Sequence, residues 1–379
     1  MNFDGIDSRV ASRSFDAQHP MFRYQVEAVP SEVSRKMKDY DHFVVVGLGG
    51  SVLPLKVFVK ALGLENRVLF LDSLSDSLVE CLLALPRTMF CVVSKSGETV
   101  EIQALFQEIL RAGRSQDVMI VTDPQKGRLR SLVSELGVAS LPIPQELGGR
   151  FTHFTVLHRA LLERFGFSFE DALKAARLEC DQLKKDPMIL EQLFLSMMRP
   201  GKSKLILWAY GERWIGFADW LQQAVAESLG KFDSSGNSVG VFPIVLRGPQ
   251  DQHSVLQLLM DGPQDFCLWF FDETPQVARL VAEGDRGYFP SLARLSLSEL
   301  RSLFCDSIYA SFQERLQNPK TATALMRIQS DLTLEDVGTL IARFQSLIEY
   351  AGAALKINAF DQPGVERGKQ ILKQRLAKN

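Results

Sequence analysis

Short apolar runs alternate with helical periods along most of the chain. After about forty residues with no strong period, FVVVGLG (43–49) reads as a buried strand and SVLPLKVFVKAL as a helix beginning at Ser51. RVLFLD then reads as a strand, SLVECLLAL as a short helix, MFCVVS as a strand and VEIQALFQEILRAG as a helix. DVMIVTD is a further strand, a helix lies near 127–136, and VASLPIP closes the round. Strands that are apolar on both faces, separated by 3.6-residue periods, predict a parallel sheet with helices on either side.

Helical periods fill 151–200, and MMRPGKSK punctuates the chain before a second round. KLILWAY, SVGVFPIVL, FCLWFFD and ALMRIQS are its strands; WIGFADWLQQAVAESL, QHSVLQLLMDG, a stretch near 295–317 and LEDVGTLIARFQSLIEYAGAAL are its helices. The tail, INAFDQPGVERGKQILKQRL, combines a turn with a final amphipathic helix. The predicted class is α/β, with two doubly wound parallel-sheet domains, an N-terminal arm and C-terminal helices. The boundaries are placed at 1–42 (arm), 43–200, 201–350 and 351–379.

Composition narrows the function classes. Hydrophobic residues at 46% and charged ones at 23%, with a net charge of −2, describe an ordinary globular chain without the basic surplus of a nucleic-acid or membrane-surface binder. No run of about 18 apolar residues is present, and MNFDGIDSRVASRSFD has no signal-like apolar core, so a cytoplasmic protein is expected. Cys81, Cys91, Cys180, Cys267 and Cys305 form no C-x-x-C pair, which predicts buried free thiols in a reducing compartment. His19, His42, His153 and His158 read as structural or surface residues, and no metal-ligand cluster is evident.

Three glycine-containing turns and three acid–base candidates carry the chemistry. VVSKSGETVE (92–101) ends a strand in hydroxyls, a lysine and a glycine and then opens a helix. Unpaired N–H groups at a helix start suit an oxyanion, and the same residues suit a plain N-cap, so both readings stand. GLGGS (47–51) also follows a strand directly; Val52 replaces the third glycine of a dinucleotide fingerprint, which weakens that reading despite Asp72 further on. Arg150 follows Gly148-Gly149, where a guanidinium could face an anion. Glu227 lies at a helix end before Ser228 and Gly230, His253 in a polar helix start, and Lys369 beyond the Pro363-Gly364 turn.

Taken together, GLGGS, SKSGET, GGRFT, AESLGK, DQHSVLQL and FDQPGVERGK stand in an order and spacing similar to the glucose-6-phosphate isomerase family, from about residue 43 to the C-terminus. The resemblance implies two sugar-isomerase domains, each a five-stranded parallel sheet. It implies Glu227 as the base moving a proton between carbons 2 and 1, His253 and Lys369 as ring-opening groups, and Arg150 facing the enediolate. It also implies that Gly50, Ser51, Ser94, the Lys95 N–H, Ser96 and Thr99 hold the phosphate, with Gln362 as an active-site glutamine. No cofactor or metal is implied, the partner is a small sugar phosphate, and a homodimer donating histidine across its interface is expected. Glu98 stands where the family usually has threonine, which puts a carboxylate near a dianion; Pro54 falls in a helix's first turn. A mannose 6-phosphate specificity and a silent sugar-phosphate-binding regulator are the alternatives, and retention of Glu227, Arg150, His253 and Lys369 together speaks against the regulator.

Overall fold

Five apolar runs of the first half pair into one parallel sheet, its three central strands buried on both faces. Its strands are β1 (His42–Val46), β2 (Val68–Leu71), β3 (Thr88–Ser94), β4 (Val118–Thr122) and β5 (Ala139–Pro142), in the order β2-β1-β3-β4-β5. The computed structural model describes residues 15, 17–275, 289, 292, 295–316 and 324–377. Register runs without a bulge, Val45 lying beside Phe70 on one side and Cys91 on the other.

Because successive strand residues point to opposite faces, the sheet feeds two cores. Phe43, Val45, Met89, Cys91, Val93, Met119 and Val121 pack toward α2 (Leu53–Ala61) and α6 (Val156–Arg164). Val44, Val46, Phe90, Val92 and Ile120 pack toward α3 (Asp76–Leu83), α4 (Val100–Arg111) and α5 (Arg128–Leu136). Pro54 sits in the first turn of α2, where its missing N–H costs no helical bond. A helix in the N-terminal arm, α1 (Ser31–Met37), contributes Val33 and Met37 to the first of these cores.

The second sheet is also all parallel, with β6 (Lys204–Tyr210), β9 (Phe242–Gly248), β10 (Phe266–Glu273) and β11 (Leu325–Ser330) in the order β11-β10-β6-β9. Four strands appear among the described residues, one fewer than the resemblance implies. SVGVFPIVL does not form one strand. β8 (Ser238–Val239) pairs antiparallel with β7 (Lys231–Phe232), and Gly240, at φ +107, turns the chain before β9. On one face of the sheet lie α10 (Leu256–Asp261) and α11 (Leu297–Arg315); on the other lies α9 (Glu212–Leu229).

The helices α7 (Phe169–Lys185), α8 (Met188–Met197) and α12 (Leu334–Leu355) share one large core with α9, α2 and the strands of the second sheet. Phe58 of α2 and Trp214 and Trp220 of α9 are fully buried there, so the two halves meet through side chains rather than a linker. The expectation of uniformly buried thiols holds for four cysteines, whereas Cys81 on α3 is exposed. The last helix, α13 (Glu366–Leu376), has no buried residue. Among the described residues, no helix is long and apolar enough to cross a membrane.

Candidate active site

The chain enters the first sheet at β1, moves to β2 on one side and then to β3 on the other. The loops after β1 and β3 therefore face one crevice at the point where strand order reverses. GLGGS forms the first wall. Residues Gly49–Ser51 make a single 3-10 turn before α2, and Gly50 lies against the backbone of Gly149 and Arg150. A Cβ on Gly50 would come within 2.5 Å of the Gly149 carbonyl carbon and 2.6 Å of the Arg150 nitrogen, so only glycine fits.

The SKSGET loop forms the second wall. Ser94, buried at the end of β3, exchanges a 3.0 Å hydroxyl contact with Thr99, and the Ser94 carbonyl accepts from Thr122 Oγ1 at 2.7 Å. Thr99 occupies the N-cap position of α4, yet its side chain makes no capping bond. The Thr99 hydroxyl is thus not spent on capping the helix and meets Ser94 instead. Ser96 is exposed, and its Oγ accepts from the Glu98 N–H at 3.2 Å. The Glu98 carboxylate turns away from the loop and accepts the backbone N–H of Arg128 at 2.7 Å, the first residue of α5. A negative charge there complements a helix N-terminus. Lys95 Nζ donates to the Leu147 carbonyl at 2.6 Å, and burial lowers its pKa. Its side chain ties the loop to the segment leading to Arg150.

Arg150 is 2% exposed and spends each of its five N–H donors. Nε donates to Ser228 Oγ at 2.8 Å, and one Nη to Glu227 Oε2 at 3.3 Å and Gln362 Oε1 at 3.1 Å. The other Nη donates to the carbonyls of Ala359 at 2.7 Å and Asp361 at 3.2 Å. Burial pulls its pKa down while the Glu227 charge opposes the shift. The Arg150 carbonyl in turn accepts Trp220 Nε1–H at 2.7 Å, which anchors the residue to α9.

Glu227 sits in the last turn of α9. Its second carboxylate oxygen accepts Gln223 Nε2–H at 2.9 Å, and its side chain remains 29% exposed. It borders an open cavity of about 590 Å³ lined also by Lys231, Asp361, Gln362 and Val365. Arg150, Glu227 and Gln362, from three distant segments, therefore meet at one point, with Gly50 packed against the backbone of Arg150. His253 lies on an exposed 3-10 turn after β9, and Lys369 on α13 pairs with Glu366 at 2.8 Å. Neither lines the cavities bordered by Glu227.

Several participants escaped the sequence reading. Gln223 precedes Glu227 by four residues on one helix face, a spacing that predicts contact. Ser228 and Lys231 belong to AESLGK, but their partners come from elsewhere in the chain. Lys231 Nζ donates to the Asp361 carbonyl at 2.8 Å and also to Asn358 O, fixing the turn that feeds Arg150. Among the described residues, no group of three His, Cys, Asp or Glu side chains could hold a metal ion.

A carboxylate paired with a buried guanidinium at the edge of a cavity is an arrangement that can serve acid–base chemistry. No family model matches the chain. The glucose-6-phosphate isomerase of Campylobacter jejuni is 30% identical over 359 residues, covering 89% of this chain and 86% of the relative. That of Carboxydothermus hydrogenoformans is 29% identical over 377 residues, covering 91% and 80%. The crystal structure of a glucose-6-phosphate isomerase from Chlamydia trachomatis superposes with a TM-score of 0.73 at 22% identity, covering 92% of this chain and 72% of that one. The chain belongs to the glucose-6-phosphate isomerase family.

Proposed function

We propose that the protein interconverts glucose 6-phosphate and fructose 6-phosphate by proton transfer through an enediol. The observation that carries this reading is the Glu227 carboxylate, held between Gln223 and Arg150 yet open to the adjoining cavity. In the open-chain aldose, Glu227 takes the proton from carbon 2, and the electron pair moves into the carbon 1 carbonyl to give an enediolate. The hydroxyl proton on oxygen 2 passes to oxygen 1, and the same carboxylate, now protonated, returns its proton to carbon 1 as the carbon 2 oxygen becomes the ketone. No net proton is gained or lost. Such a base contributes about 10²–10⁴-fold, and a guanidinium fixed beforehand stabilises the developing charge without rearranging.

Gly50, Ser51, Ser94, Ser96, Thr99 and the Lys95 N–H hold the phosphate on this reading, and Gln362 lines the sugar end. The position of GLGGS and SKSGET at one crevice supports it. His253 and Lys369 are assigned to ring opening. Since neither borders the Glu227 cavities in one chain, His253 is assigned to the site of a second copy, which makes the working enzyme a homodimer. No metal or redox cofactor takes part, and a cytoplasmic location suits a sugar-phosphate substrate. The test is a coupled assay with glucose 6-phosphate beside mannose 6-phosphate, run with chelator and without nucleotide. Turnover of glucose 6-phosphate is expected; no turnover of either sugar would overturn the assignment.

A further inference from the structure

The five residues 358–362 have an unusual burden. Two of their carbonyls, Ala359 and Asp361, and the Gln362 side chain take three of the five donors of Arg150. Wherever this turn sits, the guanidinium follows. Lys231 holds it from the Glu227 side through the Asp361 carbonyl and carboxylate, at 2.8 and 2.5 Å. From the other side it is held by a residue some 340 positions earlier in the chain. The imidazole of His19 lies flat on Phe360, with ring centroids 3.8 Å apart and planes 9° from parallel.

The stack continues toward the site. Phe360 meets the edge of Phe151 at 5.7 Å, His19 itself is 6.3 Å from Phe151, and the Arg150 guanidinium lies over the Phe151 ring at 4.9 Å. His19 is not free to rotate, because its Nδ1 accepts the Met21 N–H at 3.3 Å and caps the turn Pro20–Arg23. Met21, Phe22 and Tyr24, which follow, are buried in the large core, so the ring is mounted on a fixed support. Burial and the Arg150 charge both favour the neutral imidazole, which suits close packing beside a cation.

We propose that His19 is a positioning residue for the isomerase reaction, holding Phe360 so that the 358–362 turn keeps Arg150 aimed at the reacting carbons. The role needs a flat ring, not a proton. It rests on the function proposed above, yet it makes a claim about the turn that is measurable without any turnover.

The experiment compares His19→Leu, which keeps bulk but loses the flat ring, with His19→Phe, which keeps the ring, and with Phe360→Leu and the His19→Leu/Phe360→Leu double variant. Amide hydrogen exchange at 359–362 is expected to quicken in His19→Leu and to stay closer to the parent rate in His19→Phe, which keeps the ring on Phe360 but gives up the Met21 contact. For the parent's isomerase activity, His19→Leu should lower kcat about tenfold, since small misplacements at reacting groups are costly. The inhibition constant for inorganic phosphate should stay within about twofold, because the SKSGET loop is untouched. The double variant should be no slower than Phe360→Leu alone, as expected when two changes break one contact. Parent-like exchange in His19→Leu, or losses that multiply in the double variant, would overturn the proposal. An inert parent would instead remove the function reading, with the exchange comparison still deciding the role of His19.

Discussion

Glu227 offers one oxygen to Gln223 and the other to Arg150, so its rotamer is set before any substrate arrives. Glu227→Gln keeps that shape while removing the proton acceptor. Chemistry should slow by at least about 10²-fold, with inhibition by inorganic phosphate unchanged. Exchange of the carbon 2 proton with deuterated water should vanish in the same variant. Near-parent turnover with normal exchange would take Glu227 out of the mechanism. Residue identities of this kind were legible only through the order of motifs, because a glutamate near a helix end and an arginine after two glycines are individually unremarkable. Gln223 was within reach through its four-residue spacing. His19 was not: it read as structural or surface, and nothing local ties residue 19 to residue 360. Only the fold brings them together.

At the scale of elements, the function proposed above gives the SKSGET loop a role in binding and none in the chemistry. Ser96→Ala and Thr99→Ala each remove one donor to a charged group, a change of about 1.5–3 kcal/mol in phosphate binding. Calorimetric titration with inorganic phosphate should show this weakening; unchanged affinity in both would mean the loop does not hold the phosphate. Glu98 stays out of this balance because its carboxylate is engaged by the start of α5. The strand and helix rhythm of the first half was legible because each strand is apolar on both faces, a pattern few other structures produce. The reading failed at 238–246, where continuous apolar character hid a break at Gly240 between two strands with different partners. The Gln362 turn was legible as a turn, though not as the carrier of two carbonyls for Arg150, since backbone acceptors leave no mark on residue choice.

The whole molecule carries two consequences of burial. His153 and His158 lie at 0% and 3% exposure, His153 against Gln345 and Trp220 and His158 against Thr155 and Phe58. Burial drives the pKa of His153 well down and that of His158 to about 3. In the unfolded chain both bind protons near pH 6.5. The folded chain excludes those protons, so their contribution to stability is complete above about pH 6.5 and is lost as pH falls toward 3. Urea midpoints measured from pH 7 to 4 should fall, and His158→Asn should flatten that fall relative to the parent; an identical slope would contradict it. The second consequence concerns α13, whose Ile371, Leu372 and Leu376 are exposed although the helix is amphipathic. With His253 also away from Glu227, a homodimer is expected, and light scattering should give twice the chain mass at micromolar concentration. A monomer with full activity would exclude the donated histidine.

The contact between Gly50 and the Gly149–Arg150 backbone has a further meaning. The GLGGS turn and the segment that carries Arg150 touch main chain to main chain, with no side chain between the two backbones to flex. The spacing of the two backbones is therefore set by van der Waals radii, and the Arg150 side chain is aimed from there by Ser228, Glu227 and the 358–362 turn. On the function proposed above, a sugar phosphate whose chain is one carbon shorter is expected to anchor at one end only, leaving its reactive carbon short of Glu227. An added methyl at Gly50 would press the two backbones apart, and on the same reading would misfit the six-carbon substrate in the opposite sense. Selection by length is thus expected to depend on two abutting peptide planes, together with the side chains that each segment presents.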